Sequence, residues 1–96
     1  MALKTTVFDA ADYLADPETI SKFLTEALED DDPRVIAEAL GAVARARGGI
    51  AQLAKETGLS REALYRSLSD TGNPELGTIL KVIHALGLKL SASLVA

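Results

Sequence analysis

Five side chains between Ser60 and Arg66 have the chemistry to read a nucleic acid. Arg61 and Arg66 can each donate a bidentate pair to guanine O6 and N7, and Glu62 can accept from cytosine N4. Ser60 and Tyr65 add hydroxyls for phosphate, and the Tyr65 ring can meet a thymine methyl. Ahead of them, the amide end of a helix starting at Gly49 suits a backbone phosphate, and Gln52 suits a phosphate or a base edge. The plainer reading is a helical bundle with solvated charges, in which Glu62 only favours a helix start. Two arginines beside a tyrosine on one face weigh against it.

Other chemistry finds little to work with. The chain has no Cys and one His, His84, with no acid or Cys at ligand spacing, so a metal centre is not expected. The run Glu29-Asp30-Asp31-Asp32 lacks the spaced ligands, glycine and terminal Glu of a calcium loop. No glycine-rich loop precedes a Lys, and no Ser-His-acid set can be assembled. The residues predict neither an enzyme nor a cofactor.

The reading set needs two short helices crossing at a steep angle. Gly49 to Thr57 supplies the first, with Ile50, Leu53 and Ala54 inward. Gly58 makes the turn, because a left-handed residue is required there. Ser60 caps the second helix, on which Leu64 and Leu68 share one face. Asp16-Pro17 and Asp32-Pro33 are two further start signals, an acceptor at N-cap and a proline at N1. The first opens a helix with Ile20, Phe23, Leu24, Ala27 and Leu28 on one side, ended by the acidic run. The second opens one with Ile36, Leu40, Val43 and Ala44 inward, stopped by Gly48-Gly49. A last helix starts between Pro74 and Thr78, carries Leu76, Ile79, Leu80, Ile83 and Leu86, and closes at Gly87.

Asp9 to Leu14 reads as a short helical turn. Lys4 to Phe8 and the alternating tail Leu88, Leu90, Ala92, Leu94 have strand character, and could pair with each other or across a dimer. The prediction is an all-α domain spanning 1–96, of about five short helices with a minor terminal β element. Residues 1–32 form an acidic extension, 33–87 the helix-turn-helix bundle, and 88–96 a strand-like tail.

Composition fits one small core: 96 residues, 48% apolar and only 4% aromatic. The net charge of −4 is unevenly spread. Residues 1–32 hold nine acids and two bases, and residues 33–96 hold eight bases and five acids. An acidic front and a basic back predict two partners. With neither a signal-peptide apolar core nor a run long enough to span a bilayer, the expectation is a cytoplasmic protein without membrane contact.

The spacing Leu53-Ala54, Gly58, Leu59, Ser60, Leu64 and the closing Ala85-Leu86-Gly87 resemble the phage-repressor-like (Cro/C1, Xre) regulators. Ser67 departs from that pattern, standing where many of them place an apolar residue, with Leu68 taking its packing role. A match over nearly the whole chain is carried by Asp9-Ala10-Ala11-Asp12-Tyr13-Leu14, Leu40 to Gly48, and Leu64-Tyr65-Arg66-Ser67-Leu68. Gly72-Asn73-Pro74 and Ala85-Leu86-Gly87-Leu88 extend it. On these the chain is similar to the addiction-module antidote family, the HigA-like antitoxins also known as prophage DNA-binding proteins.

That resemblance implies an antitoxin of a type II module that neutralises a small RelE/ParE-like toxin and represses the shared operon. Its partners would be double-stranded operator DNA, read as a homodimer, and the toxin. Such toxins act on RNA or nucleic-acid-bound machinery, so a basic toxin face could meet the acidic surface at Asp9, Asp12 and Asp16. Two alternatives stay open: an interaction module whose helix-turn-helix is only structural, and a stand-alone prophage regulator.

Overall fold

Each helix of this chain starts or stops on a residue whose chemistry dictates the boundary. The computed structural model describes residues 14, 16–69 and 71–95. Helix α1 spans Pro17–Glu29. Its N-cap Asp16 accepts the Thr19 amide at 2.9 Å and the Thr19 hydroxyl at 3.0 Å. Helix α2 spans Pro33–Ala46 behind the N-cap Asp32, whose carboxylate accepts the Arg34 amide at 3.0 Å. In both, proline occupies the first turn, where its missing N–H costs nothing. The link between them runs through Asp31 at φ 66°, the one non-glycine in the left-handed region among the described residues. Asp tolerates that conformation better than most side chains.

Helices α3 (Gly49–Thr57), α4 (Arg61–Ser67) and α5 (Leu76–Ala85) complete the set. The fold is all-helical, with five helices and no strand among the described residues. Helix α1 packs on α2, α2 on α3, and α3 on both α4 and α5. One cluster unites them: Leu14, Ile20, Leu40, Val43, Leu64 and Val82 are fully buried, with Leu24, Leu53, Leu68 and Ile83 nearly so. Aliphatic chains of similar volume fill it, as the scarcity of aromatics requires. At about 25 cal/mol per Å2 of buried apolar surface, each such side chain stabilises the fold by roughly 1.5–3 kcal/mol.

Several expectations need correction. Helix α3 keeps the expected bounds Gly49–Thr57, whereas α2 stops at Ala46, so Arg47 is its cap and not part of its last turn. Leu76 was placed on the inward face of the last helix, yet it is 65% exposed, because the helix begins there and its first turn projects past the core. Val82 takes the central position instead and is fully buried. Residues 88–95 show strand periodicity but form no strand, since no neighbouring strand bonds to them among the described residues. The Lys4 to Phe8 strand and the Asp9 to Leu14 turn lie outside the described residues, save for Leu14, which is buried and not helical.

Close backbone approach is the feature that composition least foretells. A Cβ on Gly41 would stand 2.6 Å from the Leu68 carbonyl oxygen, so only glycine lets α2 lie this near the end of α4. Gly72 is held likewise against the Ser67 carbonyl as the chain turns toward α5.

Candidate nucleic-acid interface

Helices α3 and α4 are joined by the three residues Gly58, Leu59 and Ser60. Gly58 has φ 79° and caps α3 through its amide to the Ala54 carbonyl at 3.0 Å. Thr57 clasps the turn from within. Its hydroxyl donates to the Leu53 carbonyl at 2.9 Å and accepts the Leu59 amide at 3.2 Å. The Ser60 hydroxyl then accepts the Ala63 amide at 3.0 Å and starts α4. The turn is thus held by one left-handed glycine and two hydroxyls. Leu53, Leu64 and Leu68 are buried beneath it, with Ala54 and Leu59 half-buried alongside.

This packing decides which side of α4 faces out. With Leu64 and Leu68 buried one turn apart, Arg61, Glu62, Tyr65 and Arg66 are all exposed, Tyr65 to 64%. Ser67 is half-buried, so the apolar seam of α4 runs through Leu64 and Leu68 and passes beside it. Ser60 is exposed at the head of the helix, although its hydroxyl already serves the cap. Gly49 lies at the amino end of α3, behind Gly48 at φ 106°, and no side chain caps that end. The amides of that end are therefore unclaimed by a capping side chain, one condition for contact with an anionic oxygen.

Gln52 is exposed on α3, but its amide donates to the Glu56 carboxylate at 3.0 Å. That bond engages one of the two amide hydrogens of Gln52, so a bidentate contact with a base would compete with Glu56. Glu56 was not among the expected residues, although its position four residues after Gln52 announces the pair. Lys55, also exposed on α3, was likewise not singled out. Its type and place in the last turn were the available signal.

The acidic front is only partly visible. Asp9 and Asp12 lie outside the described residues. Asp16 is exposed, but its two oxygens are engaged by Thr19. The backbone N–H of Thr19, then its hydroxyl, holds the Asp16 carboxyl below its ordinary 3.8. Asp32 is lowered in the same way, first by the backbone N–H of Arg34 and then by its side chain, with which it forms an ion pair at 3.4 Å. Asp16 and Asp32 thus serve as caps first. Uncommitted to any cap, Glu26 and Glu38 line an open groove of about 360 Å3 between α1 and α2, together with Phe23 and Val35. Phe23, Ile20 and Leu24 otherwise belong to the core or its margin.

His84 is exposed on α5. No described group of three His, Cys, Asp or Glu is placed to hold a metal ion. No described helix is long and apolar enough to cross a membrane.

The family model described as probable addiction module antidote protein matches residues 4–94 of the chain. An uncharacterized protein of Haemophilus influenzae is 46% identical over 82 residues, covering 85% of this chain and 84% of that protein. No solved structure matches.

Proposed function

The chain belongs to the family of probable addiction module antidote proteins, and from that premise we propose that it is a DNA-binding antitoxin. In this reading it neutralises a small RelE/ParE-like toxin in the cytoplasm and, as a homodimer, represses the operon that encodes both. It acts by binding and not by catalysis. The observation that carries DNA binding is the exposure of Arg61, Glu62, Tyr65 and Arg66 on a hydroxyl-capped helix whose other face is buried. Helix α4 would enter the major groove, with Arg61 and Arg66 on guanine edges and Tyr65 on a thymine methyl or phosphate. The open amide end of α3 at Gly49, with Gln52 behind it, would fix the register on the phosphates.

A gel shift on the DNA upstream of the coding region tests this. Arg61→Ala together with Arg66→Ala should cost on the order of 2–6 kcal/mol of operator binding. Unchanged binding would place the reading face elsewhere.

One observation favours a second reading, an interaction module whose helix-turn-helix never meets DNA. Glu56 and Glu62 are both exposed on α3 and α4, and Glu56 already occupies Gln52. A wild-type protein that captures its toxin but shifts no upstream DNA would decide for that reading. A regulator without a toxin would shift the DNA and lack a toxin gene beside it.

A further inference from the structure

Residues 88–95 follow α5 without regular secondary structure, and residues 89–93 line a groove together with α1. The Leu88 amide bonds back to the Ile83 carbonyl at 3.0 Å; beyond it, no backbone hydrogen bond joins this segment to another described residue. Leu88 and Leu90 pack against the core margin beside Leu24 and Leu28. Between it and α1 runs a groove of about 680 Å3. Leu94 and Val95 are 98% exposed, and Leu28 is 36% exposed. Main-chain donors and acceptors with no partner among the described residues, beside exposed leucines, suit the addition of another strand.

We propose that this segment is the interface with a second copy of the chain, formed by antiparallel pairing of the two 88–95 segments about Ala92. The segment's own sequence is the argument for a second copy. A two-fold contact must be self-complementary. Pairing about Ala92 sets Leu90 opposite Leu94, Ser91 opposite Ser93, Lys89 opposite Val95 and Ala92 opposite itself. Apolar meets apolar, hydroxyl meets hydroxyl, and no like charges face each other.

The same pairing covers what one copy leaves bare. Leu94 of each copy would lie beside Leu90 of the other, on the face toward α1, where Leu28 is exposed. An isolated two-stranded ribbon is marginal in water, but each strand here is anchored on the core margin at Leu88 and Leu90.

The pairing supplies the contact that the two-copy reading above needs, and it is measured by mass without DNA. The two therefore fail separately: a dimer that shifts no operator leaves this inference standing. In sedimentation of the full chain, wild type should have twice the chain mass. Leu94→Asp should weaken the dimer on the order of tenfold or more, with helical circular dichroism unchanged because Leu94 is exposed. Since the chain has no Cys, Ala92→Cys gives a single thiol that should oxidise to a cross-linked dimer, and Leu76→Cys should not. A monomeric wild type would overturn the inference, whether the segment is covered by Lys4 to Phe8 of the same chain or by another protein's sheet. So would a dimer that ignores Leu94→Asp and gives no Ala92→Cys cross-link.

Discussion

Single residues of the candidate interface are held in check by neighbours one helical turn away. Glu56 binds the Gln52 amide at 3.0 Å and places a negative charge on the side proposed to meet phosphate. Glu56→Gln should therefore tighten operator binding by roughly twofold to fivefold, the scale of one screened exposed charge, in a titration at low salt. A weaker complex would mean the carboxylate orients Gln52 productively. The capping aspartates make a different prediction. Accepted hydrogen bonds hold Asp16 and Asp32 below 3.8 in the folded chain. Their stabilisation is complete above that value and declines as the pH falls through the lower folded values. Thermal melts through this acid range should show less loss for Asp16→Asn, since Asn caps as well without titrating. For the same reason Asp16 is a poor choice for charge reversal, which would damage α1 before it reported on a partner.

At the scale of helices, caps were legible and close approach was not. Asp16-Pro17, Asp32-Pro33, Gly58 and Ser60 declare their roles through chemistry local to the chain, and the structure uses each of them in that role. Leu76 and Val82 were misjudged because both lie on apolar positions of one helix, and only the neighbours decide which is covered. The alternation of residues 88–95 declares a strand's preference without its partner. Gly41 carries no local signal at all; its reason is the Leu68 carbonyl on another helix. Gly41→Ala would force α2 from the end of α4, a backbone obstacle that cannot rotate away. We expect a loss of about 1–3 kcal/mol in urea unfolding, where a surface Gly→Ala in a helix would gain stability instead. Operator affinity should fall with it, since α4 would shift relative to α3. An alanine variant as stable as wild type would show that the contact relaxes freely.

At the scale of the whole molecule, the charge division along the sequence reaches the described helices only in part. Of the described acids in residues 1–32, Asp16 and Asp32 are committed to caps. Glu26 and Glu38 line the groove between α1 and α2, while Arg61 and Arg66 belong to α4. If a basic toxin face is held on the acidic side and DNA on the other, the two should be separable by mutation. Glu26→Lys with Glu38→Lys should weaken toxin binding on the order of tenfold or more, mainly by slowing association, and leave the operator shift intact or slightly stronger. Arg61→Ala with Arg66→Ala should do the reverse. Both pairs are exposed, so folding should not confound the comparison. Calorimetry with the toxin and a gel shift with the operator, run on all three proteins, read the two arms together. Parallel losses in both variants would mean that toxin and DNA compete for one face, and that the charge division along the chain does not separate its partners.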